Sequence, residues 1–443
     1  MLPARGGELY RAIAARRVDG SPVGEGTTVA RMSPVSRGRK KKRSSKRVVK
    51  ATGGAQRTSM QHGPATLESP LERLMKPRER PAWFEPSITR VLENASALPA
   101  ARGPRELEQL TAELLGGELH RTVQEGNSGL WFDWWLAELI DAAAARIKKE
   151  AEWKPAFWLL HGLGALATPG LLAQMPLRQA KAWVRDKATD PLPEWLPQVP
   201  RVRATGDMHR IRDAYGTRFG VIIGLDYPGA DDRGVHLFDI DASGFIQLVG
   251  GGVFDDVEHA ASAWRNAVGE AGRDARHEPV TDSGQLQCLA HADSDQEVIS
   301  GHESRVVMDN WFRAGRRVHD LVAALKKRGM QMPAAGSLYH EIDISVMTEP
   351  FTAWYADAFH AKPDPEAVEA LAREWMEGAL PETWFAASPR RVEHRLELIG
   401  DWIDDPVTDA VREMLPDWVR WLSARAGVPE HLAERAISVA QLQ

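Results

Sequence analysis

Apolar and polar positions follow two different periods along this chain of 443 residues. Over about residues 86–186, and again from residue 356 onward, apolar residues recur every three or four positions, as in amphipathic helices. Over about residues 204–255, β-branched and aromatic runs are separated by turn residues, at Tyr215-Gly216, Pro228-Gly229 and Ser243-Gly244. The pattern predicts an α+β, mainly helical fold with a small antiparallel β-meander of three or four strands and packed helices.

The first helical segment carries large apolar residues at helical spacing. Trp131, Trp135 and Leu139 share one stripe, and Phe132 and Leu136 share the next. Such rings could form a platform on which nucleobases stack, but an apolar helix face is far more often core. We therefore expect a helix that is buried over more than half of its circumference.

After the meander the pattern predicts four successive segments. A helix is predicted to start at Asp255 or Asp256, followed by a long polar surface excursion over residues 269–301 and a second helix over about 303–328. The stretch LYHEIDISVM then alternates apolar and polar residues from Leu338 to Val346. This alternation predicts one more half-buried strand.

Helix starts in the C-terminal part are marked by proline. A capping side chain followed by proline is favourable because the first helical position needs no N–H donor. This pair occurs at Asp364-Pro365, Ser388-Pro389 and Asp405-Pro406, and Pro416 and Pro429 mark two more predicted starts. Their spacing is too irregular for a repeat, so we expect an irregular helical bundle.

These patterns divide the chain into five segments. They are a disordered basic arm over 1–67, an N-terminal helical unit over 68–189, a Pro-rich linker over 190–203, an antiparallel sheet with helices over 204–355 and a C-terminal helical bundle over 356–443. The arm lacks an apolar face and cannot offset its ordering entropy. Met32, just before its basic run, is an alternative start to Met1.

Charge is distributed unevenly between the arm and the rest of the chain. Residues 1–66 hold 15 Lys and Arg against 3 Asp and Glu, a net +12, whereas the remainder holds 41 against 58, a net −17. The densest run contains Arg37, Arg39, Lys40, Lys41, Lys42, Arg43, Lys46 and Arg47. It contains no aromatic residue, so we expect contact with phosphates rather than stacking on bases.

A second basic feature is the helix predicted over 303–328. It carries seven Lys or Arg against three Asp or Glu, a net +4. It could extend a polyanion-binding surface, or it could be an ordinary solvated helix face whose last turn complements the helix dipole.

Cysteine content and hydropathy bear on the compartment. A single cysteine, Cys288, excludes an internal disulfide and fits a reducing compartment. The N-terminus lacks the apolar core of a signal peptide, and the longest apolar stretch, from Phe157, is interrupted by His161, Pro169 and Pro176. We expect a cytoplasmic protein with no membrane segment, and the excess of Arg over Lys suggests a bacterial source.

Carboxylates of the meander are the best catalytic candidates. Asp226 ends the strand GVIIGLD, Asp239 and Asp241 lie on the next strand, and Glu258 is near the start of the following helix. Convergent carboxylates could hold a divalent metal that activates water at a phosphodiester. Turn and helix-cap chemistry explains the same acids without catalysis.

The order of these elements loosely resembles the first half of a ribonuclease H-like nuclease. The resemblance implies that Asp226 and Glu258 bind metal, with Asp343 as a third ligand. About 70 residues separate the helix from the next predicted strand, and this departs from the family's pattern.

Two other motifs give weaker evidence for a functional site. Cys288 and His291 have C-x₂-H spacing but lack a second close pair of ligands, so we expect no zinc site, no other metal and no cofactor. The three glycines of LVGGGVF lack phosphate-loop spacing and favour a bulge or turn.

The sequence therefore leads to a non-enzymatic binding protein whose basic arm docks on nucleic acid or another polyanion. Two alternatives stay open: a metal-dependent nuclease, and a protein-interaction scaffold in which the arm has no nucleic-acid role.

Overall fold

The computed structural model of the chain describes residues 80–127, 131–149, 153–168, 178, 180–182, 191–228, 232–294, 304–336, 338, 342–401 and 407–442. Within them, helices surround one antiparallel sheet, which confirms the mainly helical α+β fold. The basic arm lies outside these residues. The five segment boundaries stay a prediction.

Among the described residues, four helices with defined bounds precede the sheet. They are α1 (Phe84–Asn94), α2 (Pro104–Gln124), α3 (Phe132–Lys149) and α4 (Lys154–Leu166). Trp135, Leu136 and Leu139 are buried in the core they share, so the predicted apolar stripe of α3 is confirmed. A 3₁₀ turn, Leu196–Arg201, packs back on α4 before the sheet begins.

The sheet is a four-stranded meander with one short extra strand. Its strands are β1 (Arg203–Arg212), β2 (Arg218–Tyr227), β3 (Asp232–Asp241), β4 (Gln247–Phe254) and β5 (Glu278–Pro279), and their spatial order is β4-β3-β2-β1-β5. All neighbouring strands are antiparallel. The register between β3 and β4 shifts beside the glycine run, which confirms the predicted bulge.

The two faces of the sheet belong to different hydrophobic clusters. Val221, Ile223 and Leu225 of β2 join the cluster of α1 to α4, whereas Ile222 joins the cluster of α5 (Val257–Val268). This follows from the alternation of side chains along a strand. The Asp256 side chain accepts a hydrogen bond from His259 N, as predicted for the start of α5.

The predicted surface excursion over 269–301 is wrong for its described part. The chain forms β5, a 3₁₀ turn at Ser283–Leu286 and the helix α6 (Gln287–Ser294), and Leu286, Cys288 and Leu289 are fully buried. The polar residues between them hide this burial in the sequence, because short elements show too few turns for a period to emerge.

Helix α7 (Arg305–Lys327) crosses the inner face of the sheet and packs along α2. Gly116 of α2 permits this contact, because a Cβ at that position would lie 2.4 Å from the Asp309 Cα. The helix is confirmed. Its interpretation as a solvated basic face is wrong for Arg313, Arg316 and Arg317, which are buried.

The strand predicted from Leu338 to Val346 is also wrong for its described residues, 338 and 342–346. Asp343 lies in a turn, and helix α8 (Ser345–Phe359) begins two residues later. The Asp343 carboxylate accepts hydrogen bonds from Ser345 N and Oγ, and Met347 and Phe351 bury one face of the helix in the C-terminal cluster. The local alternation of residues is overridden by this burial.

Four more helices complete the C-terminal cluster: α9 (Pro365–Met376), α10 (Pro389–Gly400), α11 (Thr408–Ala426) and α12 (Glu430–Ala440). Asp364 and Ser388 cap α9 and α10 as predicted, and α12 begins after Pro429. The Asp405-Pro406 pair lies outside the described residues. Pro416 does not start a helix, because it lies inside α11.

No helix in the part of the chain that the structure describes has the length and apolar content to cross a membrane.

Candidate functional site

Asp226 is held at the end of β2 by an arginine of the neighbouring strand. Its Oδ2 atom accepts hydrogen bonds from Arg203 Nε at 3.0 Å and from Nη2 at 2.7 Å. Arg203 is the direct cross-strand partner of Asp226 in the register. The pair is partly exposed and acts as a cross-strand ion pair.

Glu258, in the first turn of α5, has other partners than Asp226. Its Oε1 accepts from Arg265 Nη1 at 3.1 Å, and its Oε2 lies 3.3 Å from His277 Nε2. Asp343 caps the turn before α8. Its exposed carboxylate has its pKa lowered by the hydrogen bonds from the Ser345 hydroxyl and amide.

The structure therefore gives each of the three proposed metal ligands a separate partner. Among the residues with described positions, no three His, Cys, Asp or Glu side chains are grouped so that they could hold a metal ion. The carboxylates Asp226, Glu258 and Asp343 are not brought together, and Asp343 is not on a strand of the sheet.

Asp239 and Asp241, the other acids of the meander, are buried and paired. Asp239 accepts two hydrogen bonds from Arg218, at 2.6 and 2.8 Å. Asp241 Oδ2 lies 3.0 Å from Arg390 Nη1, and its Oδ1 accepts from Ser243 N at 2.8 Å. These contacts join the start of β2 and the end of β3 to the start of α10.

A larger charge cluster lies between α2, α7 and the sheet. Glu108 of α2 is 1% exposed, and its carboxylate lies 3.1 Å from Arg313 Nε and 2.6 Å from Arg317 Nη2. Asp320 lies 2.7 Å from Arg317 and 3.0 Å from Arg316. Arg313, Arg316 and Arg317 of the basic helix are therefore paired with carboxylates inside the protein.

Two strand residues face this cluster. Burial, and then the Glu108 charge, raise the pKa of Tyr227. Burial, and then the charges of Arg313 and Arg317, lower the pKa of His236 well below its ordinary value, so its ring is neutral at neutral pH. Because these groups are closed off from solvent, the cluster is suited to fixing how α2 and α7 lie on the sheet.

A histidine pair lies on the face of the sheet opposite the Glu108 charge cluster. His209 of β1 and His277, which precedes β5, place their Nδ1 atoms 3.3 Å apart. The pairing of His209 with Pro279 holds the two segments side by side. Burial, and then His277, lower the pKa of His209, so this ring too favours the neutral form.

Local sequence patterns do not indicate this pair, because its members are 68 residues apart. His277 alone lies in a polar stretch, and nothing local indicates that a two-residue strand brings it to β1. The one sequence feature that pointed to this region was Glu258, which was predicted as a possible metal ligand. In the structure it is a neighbour of His277.

Cys288 and His291 do not form an exposed metal site. Both are buried on α6, and burial raises the pKa of the Cys288 thiol to about 12. His291 Nε2 lies 2.9 Å from Gln287 Nε2.

No family model, curated protein or solved structure matches this chain.

Proposed function

We propose that the protein is a non-enzymatic polyanion-binding protein and that its N-terminal arm binds the phosphates of nucleic acid. The observation that carries the proposal is charge density: eight of the eleven residues from Arg37 to Arg47 are Lys or Arg. Such a run releases condensed counterions when it neutralises phosphates, and this drives sequence-independent binding.

The rest of the chain supports this assignment indirectly. The remaining residues, 67–443, carry a net −17, which repels a polyanion. The most basic helix, α7, directs Arg313, Arg316 and Arg317 to internal carboxylates and backbone carbonyls. Its exposed cations are confined to the ends, as at Lys326 and Lys327. Binding is therefore assigned to the arm.

The test compares three forms of the chain on a short duplex DNA over a range of salt concentrations. They are the full chain, a full chain with the eight basic residues changed to Gln, and a control with Lys326→Gln and Lys327→Gln. The full chain should lose affinity with a log-log salt slope of roughly −5 to −7, as expected for six to eight neutralised phosphates.

The eightfold variant should lose nearly all of this affinity, whereas the control should keep it. Equal affinity of the full chain and the eightfold variant would contradict the proposal. Absence of binding by the full chain at low salt would favour the scaffold alternative. Heparin in place of DNA tests whether the arm requires nucleic acid or any polyanion.

A further inference from the structure

The His209–His277 pair has the spacing of a chelating site. Two imidazole nitrogens that each lie 2.0–2.1 Å from a tetrahedral zinc ion are about 3.3 Å apart. The two Nδ1 atoms are 3.3 Å apart in this structure. The ring planes are inclined at 81°, so the rings meet edge to face and do not stack.

The second nitrogen of His277 is also arranged as in metal sites. Its Nε2 lies 3.3 Å from Glu258 Oε2, and Arg265 holds the other carboxylate oxygen. A proton on Nε2 that is donated to Glu258 leaves the Nδ1 lone pair free to bind a cation. This carboxylate–histidine arrangement orients the ring and raises its basicity in known metal sites.

The backbone keeps both rings in place. His209 lies within β1, and β5 pairs with β1 directly after His277. The site is accessible, since the His277 side chain is 29% exposed. The single thiol does not compete for a soft metal in the folded protein, because Cys288 is fully buried and its pKa is raised to about 12.

We propose that His209 and His277 bind a divalent transition-metal ion such as Zn²⁺, with Glu258 orienting His277 and water completing the coordination. Imidazole ligands suit Zn²⁺ and Cu²⁺, whereas Mg²⁺ requires oxygen ligands. A bound ion ties the segment before β5 to β1. The site contains no residue of the arm, so this proposal can be tested separately from polyanion binding.

The test is a calorimetric titration of the full chain, without a histidine tag, with Zn²⁺. His209→Asn and His277→Asn should each weaken binding more than Glu258→Gln does. Loss of a carboxylate that accepts a hydrogen bond from a metal-binding histidine typically costs roughly 10- to 100-fold in affinity. His431→Gln is the control, because this exposed histidine of α12 has Glu270, and not Glu258, as its carboxylate neighbour. It should leave the affinity unchanged.

Cu²⁺ electron paramagnetic resonance of the unmodified chain gives a readout that needs no variant. Two coordinated nitrogens are expected, and one should remain after either histidine substitution. Equal Zn²⁺ affinity in the full chain and both histidine variants overturns the proposal, as does a Cu²⁺ spectrum without two nitrogen ligands. In either case the two rings share only a hydrogen bond.

Discussion

Glu108 is a buried carboxylate that contacts two buried arginines, one of which, Arg317, is also paired with Asp320. Arg313 and Arg317 are 1% and 0% exposed, and both contact Glu108. A buried ion pair adds little stability over an apolar pair of the same shape, but removal of one partner leaves an uncompensated buried charge. The cluster therefore makes the packing of α2 on α7 sensitive to one residue.

We expect Glu108→Gln to lower the free energy of unfolding by about 3–5 kcal/mol, because the buried Arg313 loses its carboxylate partner, whereas Arg317 keeps Asp320. Urea denaturation measures this loss. Glu106→Gln, on the exposed side of the same helix, is the matched control and should cost much less, since its partner Arg102 is 88% exposed. Equal losses in the two variants would show that the buried charges do not matter.

At the scale of elements, helix α11 contains a proline that it must accommodate. Pro416 lies eight residues after the first residue of the helix, Thr408. A proline in a helix interior removes one hydrogen bond and costs about 3 kcal/mol. The helix continues because Val411, Leu415 and Trp418 bury its apolar face in the C-terminal cluster.

Pro416→Ala should therefore stabilise the protein by on the order of 1–2 kcal/mol. The gain from restored helix geometry in the folded state is partly offset, because the unfolded chain gains conformational entropy when proline is removed. Thermal or chemical unfolding checks this gain. Pro365→Ala is the control, because Pro365 occupies the first position of α9, where proline is favourable. If both variants are destabilised alike, Pro416 does not destabilise α11.

At the scale of the whole molecule, the turn between β1 and β2 joins the sheet to the C-terminal helices. Tyr215 in this turn packs in the C-terminal cluster, and its hydroxyl donates to Leu432 O at 3.0 Å. The turn is shaped by Asp213, whose carboxylate accepts from Thr217 N and Arg218 N. Burial raises the pKa of Asp213 to about 6, against these hydrogen bonds.

This pKa makes stability depend on pH in a defined direction. The folded protein binds the Asp213 proton more tightly than the unfolded chain does. The stabilisation that protonated Asp213 gives the folded protein is therefore complete below about pH 4 and is lost as the pH rises through about 6. Asn keeps the acceptor without the charge. Asp213→Asn should therefore match the unmodified protein at pH 4 and exceed its stability by up to about 3 kcal/mol at pH 8.

Unfolding free energies of the two proteins at a series of pH values test this expectation. The difference between them isolates Asp213 from the other carboxylates. A difference that does not change between pH 4 and pH 8 contradicts it.

Local patterns determined much of this protein from the sequence. The meander, the burial of Trp135, and the caps at Asp256, Asp364 and Ser388 follow from period, turn residues and capping chemistry, which act over a few residues. Where a local signal conflicted with burial against distant elements, as in α8 and at Pro416, burial prevailed.

Only the tertiary structure decided which polar groups meet. Glu108 and Arg313 are 205 residues apart, and His209 and His277 are 68 apart, so no spacing rule joins them. Their positions follow from helix packing and from the pairing of β5 with β1. The sequence shows how many charges a helix carries, but whether a charge faces solvent or a buried partner depends on the surface that packs against it.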